Sequence, residues 1–284
     1  MRPTMKISGF TIARNAIKYH YPIVESITSI LPICDEFIVN VGDSEDATRA
    51  LIQSIKSPKI KIIENKWNLS EGKEVLAHQT NLALKECRGN WAFYLQSDEV
   101  IHENDLVRLK RYMEKYLHAK NVEAIRLQWL HFYGSYFRYR IDQGWFQKQD
   151  RIIRNNGAIE SVGDAYGFGR KDGRPIRRKN TFCLLYHYGW VHPSDVMTQR
   201  RVNAERIGFT SLRDEERKEN YSYGDLDRFP AYFGTHPKVM GKRIREHTLS
   251  QEDWKDISRE FWWHPLKILK VRYKTYKRIK ERIE

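Results

Sequence analysis

Four polar residues, Gln96, Ser97, Asp98 and Glu99, follow directly on the apolar run Trp-Ala-Phe-Tyr-Leu at 91–95. An uninterrupted run of that kind suits a strand covered on both faces, and ligands of open α/β sheets collect where such strands end. An acidic pair at that place is suited to hold a metal ion or a polar substrate. Other reactive side chains are scattered: Glu160 and Asp164 in a glycine-rich polar stretch, His187 and His192 after an apolar pattern, and Lys73, Arg151 and Arg154 as cations that a diphosphate would meet. Cys183 beside the two histidines raises a zinc reading, but a single cysteine on an apolar strand suits the core. Each residue also has a plainer reading: Asp98 as a helix cap, Asp164 as a turn aspartate, His187 as a packed histidine, the cations as solvated surface.

The pattern around these residues predicts alternating strands and helices. Strands are expected at 6–12, 36–41 and 59–64, and helices at 21–31, 47–55 and 73–87, whose apolar residues recur at helical spacing. Arg88-Gly89 stops the last of these just before the 91–95 strand. Apolar positions 106, 109, 113, 116 and 117 predict a further helix over 105–117, and the four alternations together predict a nucleotide-binding α/β sheet of the doubly wound kind. After a strand at 122–129 the composition changes. Residues 131–145 are rich in Tyr, Phe, Arg and Gly and read as loops and short hairpins able to wall a pocket for a sugar ring or a base. Residues 149–170 read as a mobile polar surface, 181–188 as a strand delivering His187, and 206–220 as an exposed charged flap or linker. Beyond Trp262-Trp263, Leu269, Tyr273, Tyr276, Ile279 and Ile283 predict one apolar side of a basic helix, suited to pack on the domain or to lie on an anionic membrane.

The 284 residues allow one large α/β domain with an appendage, and 40% hydrophobic with 13% aromatic content excludes a disordered chain. Lys and Arg outnumber acids by 50 to 36, a formal charge of +14, which implies phosphate-bearing partners without choosing among nucleotides, nucleic acid and membrane. No helix-turn-helix, zinc-finger or RNP pattern supports a specific nucleic-acid partner. Three widely spaced cysteines, Cys34, Cys87 and Cys183, argue against a disulfide framework and for a reducing cytoplasm. The amino terminus is too polar for a signal-peptide core, and no apolar run approaches the ~18 residues of a membrane span.

Three stretches, taken in order, resemble the family 2 glycosyltransferases, the large inverting group with the GT-A fold. The first is the opening strand that ends at Ala13-Arg14-Asn15. The second is the hydrophobic strand from Phe37 with its acidic turn, Gly42-Asp43-Ser44-Glu45-Asp46, and Ala47-Thr48 at a helix start. The third runs from Gln79 through the Arg88-Gly89 turn to Gln96-Ser97-Asp98-Glu99, similar to the helix, turn and strand that end in the family's Asp-x-Asp. Two positions depart from the pattern. Val41 and Gly42 stand where the family carries an aspartate pair, with Asp43 one place later, and Gln96 stands for the first acid of Asp-x-Asp while Asp98 keeps the second.

The resemblance implies an α/β fold of GT-A type, a nucleotide-binding mixed sheet flanked by helices, with a C-terminal basic helical extension. It divides the chain into a catalytic domain at 1–205, with a nucleotide-sugar half at 1–100 and an acceptor half at 101–205, and a charged linker with the basic amphipathic extension at 206–284. The implied activity is inverting, metal-assisted transfer of a sugar from a UDP- or GDP-linked donor to a saccharide or lipid-linked glycan, in the cytoplasm and peripherally on the inner face of the membrane. Magnesium or manganese is expected on Asp98 and on the late His187. The nucleotide sugar is expected at Asn15, Asp43, Asp46, Lys73, Gln96 and Asp98, and the base at Asp164 with Glu160 as runner-up. Two alternatives stand beside it: a basic, non-catalytic polyanion- or nucleic-acid-binding protein on an α/β sheet, and a nucleotidyltransferase, for which Thr11-Ile-Ala-Arg-Asn15 is not the expected glycine-rich phosphate loop.

Overall fold

The computed structural model describes residues 5–140, 142, 145, 148–213, 216 and 219–247. The first half alternates as the periodicity requires: β1 (Ile7–Ala13), α1 (Ile23–Ile30), β2 (Glu36–Val41), α2 (Thr48–Gln53), β3 (Ile60–Glu64), α3 (Glu74–Glu86), β4 (Trp91–Tyr94), β5 (Glu99–Ile101) and α4 (Glu103–Tyr116). The second half is mostly strand: β6 (Ala124–Tyr133), β7 (Ser135–Arg140), β8 (Lys148–Arg154), the hairpin β9 (Ile159–Val162) and β10 (Gly167–Arg170), and the long β11 (Arg178–Trp190). It then closes with α5 (Ser194–Arg206) and α6 (Gly241–His247).

The main sheet has nine strands in the order β3-β2-β1-β4-β8-β6-β11-β5, with β7 beside β6. Strands β1 to β4 are mutually parallel, β8 lies antiparallel between β4 and β6, and β11 runs parallel to β6. Strands β4, β6 and β11 therefore point the same way, and their carboxyl ends share one edge of the sheet. The result is a mixed α/β sheet flanked by helices.

Side chains alternate across this sheet with the period of two that a strand imposes. Trp91 and Phe93 of β4 join the core under α1 and α4 with Ile27, Ile30 and Leu109, whereas Ala92 and Tyr94 join the opposite core under α3 with Ala83 and Phe168. Burial on both faces explains why the 91–95 run is continuous rather than alternating. A third core is aromatic, where Phe132, Tyr136, Tyr186 and Tyr188 pack with Met240. Cys34, Cys87 and Cys183 are all buried and unpaired.

One expectation needs correction. Residues 149–170 are not a mobile polar surface: β8 is a central strand, and Gln149, Asp150 and Arg151 are buried in it. Their polar groups are met inside the sheet, Asp150 by Arg126 and Arg178 and Arg151 by Glu99, so a polar sequence can occupy the interior. Residues 131–145 carry the hairpin expected of them, since β6 continues to Tyr133 and turns back antiparallel as β7. The basic helix expected beyond Trp262-Trp263 lies outside the described residues. Among the described residues no helix is long and apolar enough to cross a membrane.

Candidate active site

Beyond Tyr94 the chain leaves the sheet for one turn before it returns as β5, and that turn is held from all sides. Ser97 donates to the Ile12 carbonyl at 2.8 Å, Ser26 donates to the Gln96 carbonyl at 3.0 Å, and the Gln96 amide donates to Glu99 Oε2 at 2.9 Å. Glu99 is fully buried and also receives Arg151 Nε and Nη2, both at 2.8 Å, and Trp129 Nε1 at 2.6 Å. With four donors on its two oxygens Glu99 is an anchor for the turn. Its partner Arg151 lies between the rings of Tyr94 and Trp129 and is spoken for in the same way. Arg154 spends its guanidinium on the carbonyls of Tyr116, Leu117 and Ala119 at the end of α4.

Fixed by that turn, Asp98 presents its carboxylate to two groups from later in the chain. Arg200 Nη2 of α5 donates to Oδ2 at 3.2 Å, and His187 Nε2 of β11 stands 3.8 Å from Oδ1. Strand β11 is registered on this turn: His187 pairs opposite Glu99, and the Tyr188 amide donates to the Asp98 carbonyl at 2.9 Å. Gly189 allows the approach, because a Cβ there would lie 2.8 Å from Asp98 Oδ2 and 2.7 Å from the His187 ring. Behind His187, its Nδ1 meets His131 Nδ1 at 3.0 Å, so one of the two nitrogens carries a proton and the other accepts it. Burial pushes both histidines below the usual imidazole range, His131 to about 2. If His187 donates from Nδ1, its Nε2 lone pair faces the Asp98 side, the arrangement a metal ligand needs. Among the described residues no group of three or more His, Cys, Asp or Glu side chains is placed to hold a metal.

These groups sit in a cleft of about 790 Å³ at the carboxyl edge of β1, β4, β6 and β11. Gln96, Asp98, Asp164 and His187 line it. Gln96 donates to the Ala165 carbonyl at 3.3 Å, and Asp164, half-buried in the β9–β10 turn, accepts from the Tyr166 amide at 3.2 Å. Glu160 on β9 and the exposed Lys73 are not among the lining residues. Asn15 and the acids of the β2–α2 loop are not among the lining residues, which include Ile12 and Arg14. Asn15 has φ 54° and accepts from the Glu45 amide at 2.7 Å, tying the end of β1 to that loop. Asp46 accepts from the amides of Lys18 and Thr48, just before the start of α2. Asp43 accepts from Arg14 Nε and the Trp67 amide, both at 3.2 Å; against the upward pull of burial these partners hold its carboxyl below the usual carboxylate range. The departure at Gly42 has a physical reason here: a Cβ would meet the Trp67 ring at 2.5 Å, so glycine lets the indole close over this end of the cleft.

Sequence reasoning missed Arg200, Trp129, His131 and Gly189. Helix α5 buries only Val196 and Met197, so no apolar period marks its inner side, and nothing in the sequence separates Arg200 from the other basic residues. His131 and Trp129 alternate with core residues on β6 and carry no motif. The stretch 206–220, read as an exposed flap, brings Ile207, Phe209 and Leu212 to the cleft.

The sequence profile of glycosyl transferase family 2 matches residues 10–179 of this chain. That span takes in Asp43, Asp98 and Asp164 and ends before His187 and Arg200. Among solved structures the chain is similar to S. aureus TarS in complex with UDP-GlcNAc, at 18% identity over 75% of this chain and 69% of that one, with a TM-score of 0.43. It is also similar to glucosyl-3-phosphoglycerate synthase from Mycobacterium tuberculosis in complex with Mn2+, UDP and phosphoglyceric acid, at 13% identity over 73% and 80% of the two chains, with a TM-score of 0.42. None of the curated proteins compared with the chain matches it.

Proposed function

The chain belongs to glycosyl transferase family 2, and on that premise we propose that the cleft moves a sugar from a UDP- or GDP-linked donor to a saccharide or lipid-linked glycan acceptor, with inversion at the anomeric carbon. It is a glycosyltransferase, not a nucleotidyltransferase or a passive polyanion binder. The observation that supports the site most is the meeting of Asp98, His187 and Arg200 at one end of an aromatic-walled cleft on the carboxyl edge of the sheet. The nucleoside is assigned to the end lined by Arg14, Trp67 and Leu76, with Asp43 and Gln96 as polar contacts. Trp129, Trp145 and Trp190 line the acceptor side, where aromatic faces suit the apolar faces of sugar rings.

In the proposed reaction the acceptor hydroxyl oxygen bonds to the anomeric carbon as the bond from that carbon to the diphosphate oxygen breaks. The electron pair of the broken bond leaves on the diphosphate, and the hydroxyl proton passes to a carboxylate. Asp164 is the proposed base because it is the carboxylate that lines the cleft without an arginine partner, while Glu99 is saturated and Asp98 is paired. Asp98 and His187 would hold a divalent magnesium or manganese ion, which supplies positive charge to the departing diphosphate. The donor set fits such an ion in part, two protein ligands with the remaining positions left to diphosphate and water. Peripheral docking of the basic tail on an anionic membrane, to reach a lipid-linked acceptor in the cytoplasm, is part of the same proposal and rests on the sequence beyond residue 247.

A panel of UDP- and GDP-linked sugars assayed for release of nucleoside diphosphate in the presence of Mn2+ or Mg2+ tests the reading. At least one donor should be hydrolysed slowly without an acceptor. Salt-dependent DNA binding with no nucleotide affinity would contradict it.

A further inference from the structure

Arg200 is held in a way that leaves half of its fork unused. Its side chain is 14% exposed, its guanidinium lies 4.4 Å over the Tyr21 ring, and it touches Asp98 through Nη2 alone. The other terminal nitrogen, Nη1, is buried with no hydrogen-bond partner, and Arg200 lines the cleft. A guanidinium is a planar fork that pairs best with two oxygens at once, and leaving a buried donor unmet is unfavourable. Arg151, beneath the cleft, is bidentate on Glu99, and the neighbouring lining residue Arg201, whose Nε is also unmet, gives its Nη2 to the carbonyls of Glu216 and Glu219. The unmet Nη1 of Arg200 therefore marks a place where an anionic oxygen fits, beside the Nη2 that now rests on Asp98.

Asp98 is the acceptor on the other side of this contact. It is 8% exposed, and Arg200 is the only cationic side chain that donates to it among the described residues. With the guanidinium on Oδ2, a divalent cation approaching the same carboxylate meets a fixed positive charge. We propose that Arg200 is the diphosphate-binding cation of this site, and that before the donor arrives it sits on Asp98 as an internal counter-ion. The diphosphate draws the fork off Asp98, offers it two oxygens, and frees the carboxylate for the metal ion. Metal binding is then coupled to nucleotide binding through one side chain. The inference rests on the glycosyltransferase reading and assigns within it a residue beyond the span that matches the family.

The two roles of Arg200 predict effects of opposite sign in one variant, which a merely structural role would not produce. Titration calorimetry with UDP and with GDP in EDTA, and electron paramagnetic resonance of Mn2+ added without nucleotide, are carried out on the full chain and on Arg200→Gln. Metal-free binding of nucleoside diphosphate should weaken about ten-fold or more in the variant, the loss of a charge-assisted pair, while Mn2+ alone should bind several-fold tighter. Arg200→Lys, which keeps the charge and loses the fork, should fall between the two in nucleotide affinity. Unchanged nucleotide affinity in Arg200→Gln, or a fall in both affinities together, overturns the inference. A wild-type chain that binds neither UDP nor GDP even with Mn2+ present overturns the reading beneath it as well.

Discussion

Glu99 and Arg151 meet through two parallel N–H···O bonds, both 2.8 Å, at a point where neither side chain reaches solvent. The pair joins β5 to β8 directly behind the turn that carries Asp98. Its distinctive consequence is that two residues with the chemistry of a functional site, an acid next to Asp98 and an arginine beneath the cleft, hold the floor in place.

Breaking that pair from one side should cost more than replacing it whole. Glu99→Leu leaves a buried guanidinium without its counter-ion and is expected to destabilise the chain by about 3–5 kcal/mol. Glu99→Leu combined with Arg151→Met should cost clearly less than the single change. Urea denaturation of the single and double variants measures this; additive losses would show that the two residues act independently.

Much of the first hundred residues was legible in advance because each element there obeys a simple period. The 91–95 run announced a strand buried on both faces, and Leu76, Ala83 and Cys87 announced the inner side of α3. Strand β8 was not legible, since Gln149, Asp150 and Arg151 read as surface until their cross-strand partners are known. The site divides along the same line. Asp98 follows a recognisable strand, but His131, Gly189 and Arg200 reach it through strand register and helix placement, which leave no local mark.

For Asp164, substitution separates chemistry from binding. Asp164→Asn should lower the transfer rate by about 10²–10⁴-fold with little change in affinity for the nucleoside diphosphate, as loss of a general base does. Glu160→Gln, outside the cleft lining, should leave the rate within about two-fold, the range of a surface change. Acceptor-dependent rates and calorimetric affinities for both variants decide between the two carboxylates.

Stability should also carry the signature of a buried histidine away from the cleft floor. His236 packs among Phe132, Tyr232 and Tyr188, accepts from or donates to the Tyr188 hydroxyl at 2.8 Å, and is pushed down to about 4 by burial. The unfolded chain takes up its proton near pH 6.5 and the folded chain only near pH 4, so the contribution of neutral His236 is intact above about 6.5 and is lost as the pH falls toward 4. Across that window this one group should lower stability by up to about 1.4 kcal/mol per pH unit. Melting temperatures from pH 7.5 to 4.5 should fall less steeply for His236→Phe than for the parent chain; equal slopes would remove His236 as the cause.

In the proposed reaction the carboxylate of Asp98 organises the nucleotide-sugar site. The most direct measurement is nucleoside diphosphate release from the best UDP- or GDP-linked donor, with Mn2+, by the parent chain and by Asp98→Asn at equal fold content by circular dichroism. A loss of at least about 10²-fold is expected in the variant, the scale of removing a group that supports charge at the reacting centre. An Asp98→Asn chain that releases nucleoside diphosphate at the parent rate would contradict it.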